Sequence, residues 1–209
     1  KINQISGKEL SYNNYVDLMS ALNISRSLGK NIGTVILKHG NPCGVSINRK
    51  KLQSYKFALN CDPVSAFGGI VSCNFKINHK LAAEMNKKFY EIIVGKGFDK
   101  EAVKILKQKK NLIIIDSSKI TINNKIEFMS KADNLITQTR DNKKFTKKDF
   151  KIVSEKKPNR IELENLIFAF NVCRFVKSNA IVLSKNFSTV GIGSGQTSRI
   201  DSCKIAIDK

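Results

Sequence analysis

The chain has 209 residues, 41% of them hydrophobic, and 37 Lys and Arg against 17 Asp and Glu, a formal net charge of +20. That length suits one large domain or two small ones with a real core, and no apolar run approaches the roughly 20 residues of a membrane helix. Five cysteines (Cys43, Cys61, Cys73, Cys173 and Cys203) form an odd set without C-x-x-C spacing, which argues against a disulfide framework or a zinc site and for reduced thiols in the cytoplasm.

In chain order, residues 9–27 carry Tyr15, Leu18, Met19, Leu22 and Ile24 at helical spacing. A strand is expected at 34–37, ending on the constrained stretch Lys38-His39-Gly40-Asn41-Pro42-Cys43-Gly44. Residues 49–59 predict a helix, and DPVSAFGG (62–69) a turn-rich loop entering a strand at 70–73. Asn78 caps a helix running to about residue 89, a strand follows at 91–94, Asp99 caps a helix to about 108, and a strand lies at 112–115. This alternation predicts an α/β class, a layered sheet with helices packed on it.

Residues 116–158 are polar, lysine-rich and weakly periodic, with short strands expected at 126–129 and 150–153, and read as a boundary region. Asn159 and Glu162 have capping-box spacing and open a helix to about residue 176. Strands are expected at 180–183 and 189–192. The tail GSGQTSRIDS then starts a helix at Ser198, with Asp201 three residues on. The chain begins abruptly and stops inside that helix, as a fragment would.

Adjacent residues on a regular strand face opposite sides, so Lys38 and His39 can share a pocket only if the strand breaks beside them. Gly40, Pro42 and Gly44 supply the break, although a strand end with a solvated lysine gives the same pattern. Phe67-Gly68-Gly69 lets a backbone approach a ligand closely, or is simply a turn. The run Gly191 to Arg199 feeds a helix N-terminus, an anion-binding arrangement, but its G-x-G-x-G spacing is neither a dinucleotide fingerprint nor a P-loop. Pro42-Cys43 is half of a zinc deaminase signature. The glutamate after His39 is missing and Ser46 stands where the second cysteine belongs, so no metal is expected.

The charge favours anionic ligands and raises a basic polyanion- or RNA-binding module as an alternative. Only six of the basic residues are arginine (Arg26, Arg49, Arg140, Arg160, Arg174, Arg199), and the lysines are dispersed. Nucleic-acid recognition favours the arginine fork, so no specific nucleic acid is expected.

Taken together, KHGNPCG, DPVSAFGGIV, FVKSNAIVL and VGIGSGQTSRIDS, in this order and at these separations, resemble the AICAR transformylase domain of the AICAR formyltransferase/IMP cyclohydrolase family. GKELSYNN and EIIVGKGFDKEAVKILKQKKNL resemble it too, while residues 116–158 match least. The family's IIAPGF stands here as Val94-Gly95-Lys96-Gly97-Phe98, and its paired glycines before QDRDN stand as Lys131-Ala132-Asp133. The resemblance implies cytidine-deaminase-like α/β units without zinc: a first unit at 1–115, a variable connection at 116–158, and the start of a second α/β segment at 159–209. It implies formyl transfer from 10-formyltetrahydrofolate, the cosubstrate, to the 5-amino group of AICAR, in a homodimer. By motif position His39 is the general base, Lys38 the transition-state stabiliser and Asn179 the orienting residue. Phe67, Gly68, Glu91 and Arg199 would line the AICAR site, and Ser198 and Ile200 would face the folate.

Overall fold

A computed structural model describes residues 2–122 and 125–209. Its centre is an eight-stranded mixed sheet. The strands are β1 (Asn3–Ser6), β2 (Gly33–Lys38), β3 (Asn41–Ile47), β4 (Ile70–Cys73), β5 (Ile92–Gly95), β6 (Ile113–Asp116), β9 (Ile181–Lys185) and β10 (Ser188–Gly193), in the order β1-β6-β5-β4-β2-β3-β10-β9. β4, β5 and β6 run parallel, and the other pairings are antiparallel. β9 and β10, from the part of the chain after residue 158, join this same sheet beside β3.

The near-continuous apolar runs of the central strands are explained by burial on both faces. Val35, Leu37, Ile92, Val94, Ile113 and Ile115 face α1 (Tyr12–Ser27) and α5 (Arg160–Cys173), meeting Leu18, Leu22, Phe168 and Val172. The alternate residues Ile36, Val71, Ile93 and Ile114 face α2 (Lys51–Cys61), α3 (His79–Asn86) and α4 (Lys100–Leu106), meeting Tyr55, Leu81, Met85 and Leu106. A period of two thus sorts each strand between two helical layers.

Helix starts follow local chemistry. Ser11 and Asn14 form a capping box on α1, as do Asn159 and Glu162 on α5, and Asn78 accepts from the Leu81 amide at 3.0 Å. Asp99 stands at the N-cap of α4 but makes no capping bond, because its carboxylate is paired with Lys76 at 2.7 Å. The helices at 79 and 160 end at Asn86 and Cys173, each three residues earlier than the apolar pattern suggests.

The largest difference from the sequence expectation is β3. Residues 41–44 continue as a strand rather than a turn, since the register shifts between Ile36 and Leu37, and Pro42 sits opposite Leu37 at that irregularity. A proline, lacking an N–H, is tolerated within a sheet at such a place. Gly44 is required there for a different reason: a Cβ would lie 1.9 Å from the Ala58 carbonyl oxygen of α2. The same logic governs GIGSG. A Cβ at Gly191 or Gly193 would meet the backbone of α6 (Arg199–Asp208) at 1.8 Å, so both glycines admit a helix against β10.

Residues 126–139 form a separate hairpin of β7 (Ile126–Lys131) and β8 (Asn134–Thr139), exposed along its whole length, with Ala132 at φ +49 in its turn. The strand expected at 150–153 is not formed. The hydrogen-bond partner of β7 is β8, and residues 150–153 line an apolar groove beside α5. No helix of the described residues is long and apolar enough to cross a membrane.

Candidate active site

β2 and β3 are joined by a two-residue turn, with Lys38 paired to Asn41 and only His39 and Gly40 between them. Both are left-handed, at φ +52 and φ +75. Two-residue hairpin turns with both residues left-handed favour Asn-Gly, and a histidine at the first position is unusual. The strand therefore does break where Lys38 and His39 could share a pocket, and both line one cavity of about 570 Å³.

Four segments build that cavity. The first is the stretch of Lys8 to Asp17 that enters α1. The second is the Lys38–His39 turn. The third is the loop ending in Phe67-Gly68-Gly69, and the fourth is Phe89 to Glu91. Asp62 opens the loop by accepting from the Ser65 amide at 2.9 Å. Gly68, at φ +71, donates its amide to the Phe89 carbonyl, the Glu91 amide returns a bond to the Gly69 carbonyl, and the Phe67 and Phe89 rings meet at a tilt of 48° with centroids 5.2 Å apart. Phe89, expected inside a helix, has left it for this contact. The Lys38 ammonium donates to the Phe67 carbonyl at 2.7 Å, and Glu91 pairs with Lys8 at 2.6 Å.

Asn179, Ser198, Arg199 and Ile200 lie outside this cavity, in a second cluster at the start of α6. Asn179 donates its carboxamide N–H groups to the Gln196 and Thr197 carbonyls at 3.0 and 2.9 Å, and its backbone carbonyl accepts from the Ser202 hydroxyl. Ser198 caps α6 by accepting from the Ile200 amide, while Arg199 and Ile200 are exposed. Asn41 links the clusters. Its side-chain oxygen accepts from the Lys177 amide at 3.0 Å, and its N–H reaches the His39 carbonyl at 3.4 Å.

Sequence reasoning did not find Asp17 or Lys8. Asp17, in α1, accepts from the His39 amide at 3.1 Å and from the Gly40 amide at 2.7 Å. Its partners are backbone groups, which no residue pattern announces. Lys8 carried a signal only in standing within GKELSYNN.

Among the described residues, no group of three or more His, Cys, Asp or Glu could hold a metal ion. Burial pushes the Cys43 thiol up to about 12, with Asp62 adding to the effect, and burial likewise raises Cys61 to about 11 and Cys73 to about 12. The thiolate is the ligand and the nucleophile, so these three are inert at neutral pH. Native protein at pH 8 is expected to leave all three unalkylated until it unfolds, since roughly one thiol in a thousand or fewer is ionised. Their raised values in the folded state stabilise it fully below the ordinary thiol range. That contribution is lost as pH climbs from about 8.5 towards 12, because the unfolded chain releases these protons first. Thermal melts from pH 8 to 10 should show a falling midpoint, and replacing Cys73 by Ser should flatten part of that fall.

A family model described as AICARFT/IMPCHase bienzyme matches residues 1–209. Among curated proteins, the chain is 46% identical over 206 residues to the bifunctional purine biosynthesis protein PurH of Buchnera aphidicola, covering 98% of this chain and 39% of that protein. It is 43% identical to the PurH of Wigglesworthia glossinidia brevipalpis (99% of this chain, 39% of that protein) and 41% identical to that of Brachyspira hyodysenteriae (99% and 40%). The chain thus spans about two fifths of the length of these relatives. With all of its residues 1–209 matched by the family model, the chain belongs to the AICARFT/IMPCHase bienzyme family.

Proposed function

We propose that the full-length protein acts in purine biosynthesis and that this chain carries the centre transferring a formyl group from 10-formyltetrahydrofolate to the 5-amino group of AICAR. The observation that carries the reading is the Lys38–His39 turn, left-handed at both His39 and Gly40, set on a cavity with Gly68 and Glu91 in a member of this family. The same reading brings a homodimer, a cytoplasmic setting, cytidine-deaminase-like units and an IMP cyclohydrolase activity elsewhere in the protein.

The AICAR amine is a weak nucleophile because its lone pair is delocalised into the ring. His39 removes its proton as it attacks the formyl carbon, a task suited to neutral imidazole. The carbonyl electrons move onto oxygen, where the Lys38 ammonium stabilises the charge. One of its three N–H groups is spent on Phe67, leaving two for the oxyanion. Collapse of the intermediate breaks the bond to the folate nitrogen, which takes up the proton that His39 accepted and so returns the imidazole to its neutral form. FAICAR and tetrahydrofolate are the products. Phe67, Gly68 and Glu91 hold AICAR from the cavity and Arg199 from the second cluster, Asn179 orients the reacting groups through its side-chain oxygen, since its N–H groups are engaged, and Ser198 and Ile200 face the folate.

The test is turnover of AICAR and 10-formyltetrahydrofolate by the purified full-length protein, followed by chromatographic detection of FAICAR. Formation of FAICAR is expected, and its absence with both substrates saturating sinks the reading. The 209-residue chain alone is expected to show no turnover, because it spans only about two fifths of its relatives.

A further inference from the structure

Building on that formyl-transfer reading, we propose that Asp17 is a positioning residue, which sets the direction of the His39 imidazole by holding the turn that carries it. In a two-residue turn the backbone at His39 fixes where its Cα–Cβ bond points, so a rotation of the turn moves the ring. Neither the His39 amide nor the Gly40 amide has a backbone partner among the described residues, and both end on the two oxygens of one carboxylate, at 3.1 and 2.7 Å. That carboxylate stands on a firm base. α1 is anchored by Leu18 and Leu22, which are buried, and its first turn is closed by the Ser11–Asn14 capping box. From the other side, Asn41 reaches the His39 carbonyl. The turn is thereby held at its N–H groups from α1 and at a carbonyl from β3.

A purely structural role is the competing account, and the fold gives it a precedent. The β9–β10 turn, with Asn186 at φ +51 and Phe187 at φ +55, is also held from a helix, by Asn165 accepting from the Phe187 amide at 2.8 Å. What separates the two accounts is whether the loss on removing Asp17 runs through the imidazole.

The experiment uses the full-length protein with Asp17→Asn and Asp17→Ala, each alone and combined with His39→Asn. The carboxamide is isosteric but offers one oxygen and turns an N–H donor towards the other amide. Asp17→Asn is expected to keep its melting temperature within a few degrees and its AICAR KM within about threefold. Its kcat should fall by roughly 10- to 100-fold, the scale of a small misplacement of a reacting group. In the His39→Asn background the same change should cost nothing further. The proposal is overturned by unchanged kcat, by equal losses in both backgrounds, or by unfolding of both Asp17 variants. Full activity of His39→Asn alone would instead remove the base assignment on which it rests.

Discussion

His39→Asn in the full-length protein is expected to lower kcat for formyl transfer by roughly 10² to 10⁴, the usual range for a lost general base. It should leave the hairpin intact or slightly firmer. His39 is left-handed at φ +52 and precedes Gly40, so the substitution creates the Asn-Gly pair that such turns favour. His39→Ala is a poorer probe, because alanine is less tolerated than histidine or asparagine in the left-handed region and would mix a loss of turn stability with the lost base. The comparison separates chemistry from punctuation. If the histidine only ends a strand, asparagine is the better residue and activity survives. A folded, fully active His39→Asn protein ends the catalytic assignment. AICAR affinity, measured by calorimetry, should change far less than kcat, since the imidazole acts as the amine loses its proton.

Lys38 should give the second large effect. Lys38→Met keeps the volume of the side chain but removes the charge and the bond to the Phe67 carbonyl at 2.7 Å. A loss of about 10² to 10³ in kcat is expected, the scale of removing one donor to a developing oxyanion. Lys38→Arg should retain AICAR binding with poor turnover. The guanidinium keeps the charge, but it cannot give up a proton and its larger planar head has to fit where the ammonium sits 2.7 Å from the Phe67 carbonyl. Unchanged kcat in Lys38→Met, measured beside thermal unfolding, would remove the stabilising role.

The layered α/β arrangement was legible because the core strands carry runs of two or three β-branched residues and the helix starts carry side-chain caps, at Asn78 and Asn159 above all. β3 was hidden because Pro42 and Gly44 read as turn residues. Their true constraints are non-local: an irregularity opposite Leu37 and the close passage of α2 at Ala58. β8 was missed because a fully exposed hairpin has no apolar alternation to reveal it. In the site, the cavity-lining set Lys38, His39, Phe67, Gly68 and Glu91 could be named from motifs that resemble a family. Asp17 could not, since it acts on backbone amides that look alike at every position. Nor did the motifs disclose that Asn179 spends its donors on the Gln196 and Thr197 carbonyls.

The pairing of β10 with β3 has a consequence for the order in which the protein assembles. The Val45 amide meets the Thr189 hydroxyl at 2.9 Å across 144 residues of chain, and Ser46 meets Ser188 at 2.7 Å across 142. Closing a loop of that size costs about 4 kcal/mol of chain entropy beyond the constant term, before any contact rewards it. The β2–β3 hairpin and the parallel strands β4, β5 and β6 have short connections and form without it. During synthesis from the N-terminus, the Lys38–His39 turn is therefore folded while residues 177–199 are still being added. The Asn41–Lys177 bond, which joins the two clusters, closes only when the last hairpin docks, so acquisition of activity should lag behind acquisition of most of the secondary structure.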